Sequence, residues 1–174
     1  HKGEKVKFFD DMIKDKVVAI NFIYTSCGDI CPAETARLRE VQDILGDRLG
    51  KDIFFYSITI DPDHDTVPVL NAYTKKYGIG SGWTFLTGDE EDIKTLRKKL
   101  GLYVAVEDEN ARTLSDHNIN LVIGNQAMGR WVKRSPFENP YVIANQMGTW
   151  LHNWKHVRTG SRNRYEDAPA IRQI

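Results

Sequence analysis

Only two cysteines occur in the sequence, Cys27 and Cys31, and they lie in one short stretch between two segments of contrasting pattern. Residues 17–24, before it, form an apolar run typical of a buried β-strand. Residues 33–45, after it, carry apolar side chains at helical spacing, and Pro32 suits the first position of that helix because its φ is preset. The order of strand, cysteine loop and helix predicts two thiols at a helix N-terminus, where unpaired N–H groups and the helix dipole stabilise thiolate.

The spacing of the two cysteines favours a functional role over a structural one. Three residues separate them, one more than in the Cys-x-x-Cys pair of thioredoxins. The wider loop relaxes the constraint that favours an intramolecular disulfide, and it leaves two thiolates room to open around one metal ion. A structural disulfide would close a very short loop and stabilise the protein little. We therefore interpret the pair as a redox or metal site.

Length and charge narrow the class of protein. The chain has 174 residues, enough for one domain, with 24 basic and 24 acidic residues, so charge gives no argument for a nucleic-acid partner. No stretch approaches the ~20 apolar residues of a membrane span. Because the sequence begins at His1, we expect a processed or shortened form whose N-terminal anchor is absent from this chain. We expect one domain over residues 1–157 and a polar C-terminal tail over 158–174.

Strand and helix patterns alternate along the rest of the chain. This alternation predicts an α/β, thioredoxin-like fold: a central mixed β-sheet flanked by helices on both faces, with a β-hairpin and a C-terminal helix. The further predicted strands are 53–60, 83–87 and 119–124, with 130–132 as the second arm of the hairpin, and the further predicted helices are 69–77, 89–100 and 141–156.

His117 stands just before the predicted strand 119–124. In thioredoxin-like folds this strand start lies opposite the cysteine loop, and thioredoxins place a cis-proline there. This sequence has Asp116-His117-Asn118 and no proline nearby, which argues against a general disulfide oxidoreductase. Two thiolates and one imidazole form a soft site suited to copper in either oxidation state. We therefore predict that Cys27, Cys31 and His117 bind Cu(I) and Cu(II).

Three segments together resemble the SCO/SenC family of copper proteins: residues 27–32, residues 59–66 and Asp116-His117. Their order and spacing are similar to the family's pattern over residues 17–131, whereas the Trp- and His-rich segment after Trp131 departs from it. The resemblance implies that the two cysteines and the histidine are the copper ligands. It also implies a metallochaperone that assists assembly of the binuclear copper site of cytochrome c oxidase.

The same resemblance implies where the protein works and with what. The family is membrane-anchored and faces the bacterial periplasm or the mitochondrial intermembrane space. The expected partner is the copper-site subunit of cytochrome c oxidase, together with another copper donor or a thioredoxin-like reductant, and no nucleic acid.

Other functions for the cysteine pair remain open at this point. A thiol-disulfide reductase would use Cys27 and Cys31 as a redox-active pair to keep the acceptor's cysteines reduced, without needing His117. A thiol peroxidase fits less well, because Thr25 lies two rather than three residues before Cys27 and no proline precedes it. A binding module with a structural disulfide is the remaining alternative.

Several acidic residues and histidines other than the three predicted copper ligands are further candidates for a role at the site. Asp61 follows a strand that neighbours the cysteine strand, so it could orient a copper ligand or a loop, although a simple turn residue explains it equally well. We interpret Asp65 as a turn residue that caps the next helix, and His64 as no ligand. His152 and His156 lie four residues apart, a spacing that can chelate a metal, but no third ligand lies nearby in the sequence.

Overall fold

The computed structural model describes residues 2–28, 30–102 and 120–150. These residues form one five-stranded mixed sheet. Its strands are β1 Val17–Ile23, β2 Ile53–Thr59, β3 Trp83–Leu86, β4 Leu121–Asn125 and β5 Arg130–Arg134. The strand order is β3-β2-β1-β4-β5, with β1, β2 and β3 parallel, and β4 antiparallel to both β1 and β5. The predicted mixed sheet and hairpin are confirmed.

The helices lie close to their predicted positions, with differences at the ends, and residues 151–156 of the predicted last helix lie outside the described residues. They are α1 Ile30–Leu45, α2 Val67–Lys76, α3 Glu90–Lys99 and α4 Pro140–Asn145, with π-helical turns at Phe8–Ile13 and Gln146–Trp150 and 3-10 turns at Gly46–Arg48 and Gln126–Met128. The predicted position of Pro32 at the first residue of α1 is wrong, because the helix begins at Ile30. Pro32 costs no hydrogen bond there, since the first four N–H groups of a helix have no partner within it.

Both faces of the sheet are buried. Alternate residues of β1 point to opposite faces. On one face, residues such as Ala19 and Ile23 pack against α1, α2 and α4. On the other, residues such as Ile20 and Phe22 pack against Ile13 and α3. The prediction of helices on both faces is confirmed.

The fold brings two loops together at one edge of the sheet. Strands β1 and β2 are parallel neighbours whose last residues, Ile23 and Thr59, pair in register. The Ile60 N–H continues this pairing by donating to the Ile23 carbonyl at 2.8 Å. The cysteine loop that follows β1 therefore lies beside the residue 60–66 turn that follows β2. None of the helices in the described ranges is both long and apolar enough to cross a membrane. The predicted tail, residues 158–174, lies outside those ranges.

Candidate thiol and metal site

The two cysteines lie at the start of α1, at different depths. Cys27 is half-buried in the loop before the helix, whereas Cys31 is the second residue of the helix and is fully buried. The Cys31 N–H donates to the Cys27 Sγ at 3.3 Å, so the first turn of the helix holds the two residues together. In the described structure no disulfide joins them. The predicted placement of both sulfurs at the helix N-terminus is confirmed.

The surroundings of the two sulfurs drive their pKa values apart. Burial opposes ionisation of Cys27, but hydrogen bonds from the Cys31 N–H and thiol, the Tyr24 hydroxyl and the Ile30 N–H outweigh it and lower the pKa of Cys27. Burial raises the pKa of Cys31 to about 12, although the Tyr24 N–H donates to its sulfur. The two pKa values shift in opposite directions, so Cys27 ionises before Cys31, and the Cys31 thiol donates to the Cys27 sulfur.

Tyr24 completes the surroundings of the thiolate. Burial, followed by its hydrogen bond to Cys27, raises the pKa of Tyr24 to about 12, so the hydroxyl stays protonated and acts as a donor. Cys27 is thus the first of the two thiols to ionise, and a soft metal ion that binds both sulfurs must also displace the Cys31 proton.

A buried carboxylate, Asp65, ties the cysteine loop to the neighbouring turn. Its side chain is fully buried. The Thr25 N–H donates to both of its oxygens, at 3.0 and 3.3 Å, and the Thr25 hydroxyl donates to Oδ1. The Thr59 hydroxyl, at the end of β2, donates to Oδ2 at 2.5 Å. His64 Nδ1 lies 2.9 Å from Oδ1. One carboxylate therefore joins residues from three places in the chain.

The capping role inferred for Asp65 from the sequence is wrong. The N-cap of α2 is Thr66, and Asp65 points to the cysteine loop instead. Burial opposes its ionisation, but the hydrogen bonds from Thr25, Thr59 and His64 outweigh burial and lower the pKa of Asp65. The hydrogen bond to Asp65 raises the pKa of His64, whose ring is exposed to solvent.

A second buried carboxyl, Glu34, lies one helical turn after Cys31 on α1. It accepts from Asn21 Nδ2 at 2.9 Å, and Asn21 Oδ1 accepts from the Ser57 hydroxyl at 2.7 Å. Trp83 Nε1 donates to the same Ser57 oxygen at 2.9 Å, so a polar chain crosses three strands of the sheet. Glu34 Oε2 has no hydrogen-bond partner in the described structure. Burial outweighs the Asn21 bond and raises the pKa of Glu34 to about 7.

The other predicted site residues divide into two groups. His117, His152 and His156 lie outside the described residues, so their predicted roles stay predictions. The Asp61 N–H donates to the Thr59 hydroxyl at 2.9 Å and its carbonyl accepts from the Asp65 N–H. The charge of Asp61 also contributes to raising the pKa of His64. Within the described ranges, no three His, Cys, Asp or Glu side chains converge as metal ligands.

Taken together, a thiol pair at the start of a long helix, reached from the central strand of a mixed sheet, defines a thioredoxin-like thiol protein. Comparison with known proteins makes this more specific. The model of the SCO1/SenC family matches residues 1–152, and the chain belongs to that family. The resemblance stated from the sequence is confirmed.

Individual relatives agree with this assignment. The mitochondrial SCO1 homolog 1 of Arabidopsis thaliana is 33% identical over 108 residues, which are 60% of this chain and 31% of that protein. A SCO1/SenC family lipoprotein from Bacillus anthracis superposes with a TM-score of 0.65 at 28% identity, covering 78% of this chain and 81% of the other. The copper-bound structure of Arabidopsis thaliana ScoI superposes with a TM-score of 0.61 at 26% identity, covering 84% and 87%. These likenesses confirm the predicted thioredoxin-like fold.

The chain spans between 31% and 59% of the length of the curated relatives it matches. Copper is bound in the Arabidopsis ScoI structure, one relative is mitochondrial and another is a bacterial lipoprotein.

Proposed function

We propose that this chain is a copper metallochaperone for cytochrome c oxidase, with copper as its cargo. The two cysteines and His117 would hold the metal, and the copper-site subunit of the oxidase would receive it. Membership of the SCO1/SenC family supports this proposal, as do the copper-bound Sco structures among its structural neighbours. BsSco, another solved neighbour, belongs to the Sco family of cytochrome c oxidase assembly proteins.

The observation that carries the proposal is the unbridged sulfur pair at the start of α1. Two thiolates are sufficient ligands for soft Cu(I), and the 3.3 Å contact between the Cys31 N–H and the Cys27 sulfur keeps the two residues adjacent. An imidazole from His117 would add the nitrogen donor that Cu(II) prefers. The donor set therefore fits copper in both oxidation states.

The different depths of the sulfurs suit transfer. Cys27 is half-buried and its lowered pKa makes it the more readily ionised thiol, so it is the sulfur that an incoming ligand of the acceptor can reach and displace. Cys31 is fully buried and takes back its proton readily once copper leaves. Copper can then pass from one protein to the other without entering solution.

The proposed location follows from the relatives of this chain. We propose that the protein is membrane-anchored at the periplasmic face of a bacterial inner membrane or in the mitochondrial intermembrane space. One relative is a bacterial lipoprotein and another is mitochondrial, which supports an anchored protein in one of these compartments.

Asp61, beside Asp65 in the neighbouring turn, is retained as a residue that orients the site from outside the ligand set.

A second candidate function is thiol-disulfide reduction of the acceptor's copper-site cysteines. The unequal pKa values of Cys27 and Cys31 favour it, because a reductase needs one accessible thiolate and one buried resolving thiol. The Cys27 thiolate would attack the acceptor disulfide and form a mixed disulfide. The first acceptor sulfur would leave as a thiolate and take a proton from water. The Cys31 sulfur would then attack the Cys27 sulfur of the mixed disulfide and its proton would pass to the departing second acceptor sulfur, leaving the acceptor's two thiols and a Cys27–Cys31 disulfide. A thioredoxin-like reductant would restore the pair.

The substitution His117→Ala separates the two functions. For a chaperone we expect it to weaken Cu(II) binding much more than Cu(I) binding and to impair oxidase assembly about as severely as Cys27→Ser. Cys27→Ser is the matched control, since it should abolish both activities. If His117→Ala supports normal oxidase assembly in copper-poor medium while Cys27→Ser does not, the reductase function replaces the chaperone function.

A further inference from the structure

The turn that carries Cys27 is held in place through one of its residues, Thr25, which hydrogen-bonds to Asp65 outside the turn. Residues 24–27 form a tight turn, closed by the Cys27 N–H donating to the Tyr24 carbonyl at 3.3 Å. Thr25 is the second residue of this turn. Both its N–H and its hydroxyl donate to the Asp65 carboxylate. The position of Thr25 within a four-residue turn determines where the turn places the Cys27 sulfur.

The other side of Asp65 is attached to rigid structure. The Thr59 hydroxyl, at the end of the buried strand β2, donates to Asp65 Oδ2 at 2.5 Å. The Asp65 N–H donates to the Asp61 carbonyl at 2.8 Å, which closes the turn before α2. The carboxylate is fully buried, so water does not compete for these hydrogen bonds. Asp65 therefore connects the residue 24–27 turn directly to the sheet.

We propose that Asp65 is a positioning residue for the copper site, which holds the residue 24–27 turn so that the Cys27 sulfur faces the Cys31 sulfur. This inference rests on the proposed function and adds a residue that binds no metal itself. Outer residues that fix the orientation of a ligand typically change metal affinity by roughly 10–100-fold when they are removed.

The direct test replaces Asp65 with Asn. This substitution keeps the shape of the side chain, removes its charge, and replaces one of its two acceptor oxygens by an NH₂ group. The reduced protein is titrated with Cu(I) against a competing chelator, and then with Cu(II), recording the thiolate-to-copper charge-transfer band. We expect Asp65→Asn to weaken Cu(I) binding by on the order of 10–100-fold and to shift the band. A folded variant with wild-type affinity and an unchanged band would overturn the proposal.

A matched pair of variants decides the question if Asp65→Asn does not fold. Thr25→Val removes a hydroxyl bond to Asp65 on the side of the cysteine turn, whereas Thr59→Val removes one on the side of the sheet. Thr59→Val also loses the bond from the Asp61 N–H, so it should destabilise the fold at least as much. We expect Thr25→Val to weaken Cu(I) binding severalfold. Thr59→Val leaves the Thr25 bonds to Asp65 in place and loosens only the attachment of Asp65 to β2, so we expect a smaller loss of Cu(I) affinity. Copper losses that simply follow the loss of stability in both variants would make Asp65 a structural residue only.

A readout without copper keeps this inference separate from the proposed function. The rate at which iodoacetamide alkylates Cys27 in the reduced apoprotein reports the environment of its sulfur. We expect Thr25→Val to change this rate more than Thr59→Val does, and the reverse order would contradict the positioning role. A wild-type protein that binds no copper would refute the metallochaperone, while the alkylation rates would still test Asp65.

Discussion

Two carboxyl groups near the thiol pair are both almost completely buried, yet their pKa values are shifted in opposite directions. Asp65 is 0% exposed and Glu34 is 1% exposed. Asp65 accepts hydrogen bonds from three residues, and its pKa is lowered. Glu34 accepts one bond from Asn21, has one oxygen without a partner in the described structure, and has a pKa raised to about 7. Burial opposes the charge at both positions, so the number of donors decides which group stays ionised.

Because their pKa values shift in opposite directions, the charges of the two carboxyl groups have opposite effects on the stability of the fold. The ionised form of Asp65 is compensated in the folded protein, so its charge stabilises the fold. The ionised form of Glu34 is poorly compensated, so the same charge destabilises the fold. Replacing each carboxyl by its amide tests this contrast directly, because both substitutions conserve shape and remove one charge.

The largest effect is expected from Asp65→Asn. The amide lacks one acceptor and places an NH₂ group against buried donors, so we expect the free energy of unfolding at neutral pH to fall by about 4 kcal/mol. Because the folded pKa of Asp65 lies below its ordinary value of 3.8, the stability it contributes is present above that value and is lost as the pH falls through the folded pKa. Urea denaturation at neutral and at strongly acidic pH measures this, and the variant should approach the wild type in acid.

A smaller effect of opposite sign is expected from Glu34→Gln. The folded pKa of about 7 lies above the ordinary value of 4.5, so the destabilisation caused by Glu34 is absent below 4.5 and grows as the pH rises from 4.5 through about 7. This destabilisation amounts to at most about 3 kcal/mol, and Glu34→Gln should remove most of it and flatten the pH profile. If, above the Glu34 transition at about pH 7, Glu34→Gln destabilises the protein as much as Asp65→Asn does, the contrast between the two carboxyl groups is wrong.

The smallest effect is expected from Ser57→Ala, which sharpens the account of Glu34. The substitution leaves Trp83 Nε1 and Asn21 Oδ1 without their Ser57 contacts, at a cost of about 1–2 kcal/mol. It also frees Asn21 to turn away from Glu34, and losing this donor should move the Glu34 transition to higher pH.

Thr35→Val is the matched control for Ser57→Ala. The Thr35 hydroxyl shares a buried hydrogen bond of 2.9 Å with the Tyr73 hydroxyl, so the control should cost similar stability. Because this bond lies outside the Asn21–Glu34 chain, we expect the pH profile to keep its wild-type position. A shift of equal size in both variants would mean that Glu34 does not depend on Asn21.

Local patterns predicted the parts of the site that lie close together in the sequence. The apolar run 17–24, the cysteine loop and the amphipathic helix are all contiguous, and the structure contains β1, the loop and α1 in that order. The start of α1 was predicted less well, because Cys31 and Pro32 can belong to either a loop or the first helical turn. The opposite pKa shifts of the two thiols depend on their burial and local hydrogen bonds and could not be predicted from spacing alone.

The two carboxyl groups were missed for different reasons. Asp65 contacts Thr25, 40 residues away, only because β1 and β2 pair in parallel with Ile23 opposite Thr59. Its sequence context is that of an ordinary turn, so only the strand register reveals its role. Glu34 did give a signal, since it lies four residues before Leu38 and therefore on the apolar face of α1. A charged residue at a position that the helical period assigns to the core indicates a buried ionisable group.

Copper binding to the reduced and the oxidised protein tests the central claim most directly. Copper and zinc content, with the visible absorption spectrum, would be measured for the chain with Cys27 and Cys31 reduced and again with the two joined in a disulfide. The proposed site predicts about one tightly bound copper per reduced chain, with a thiolate-to-copper charge-transfer band for Cu(II), and none in the oxidised chain, because a disulfide lacks thiolate. Full copper binding by the oxidised chain, or zinc retained as tightly as copper without the band, would contradict it.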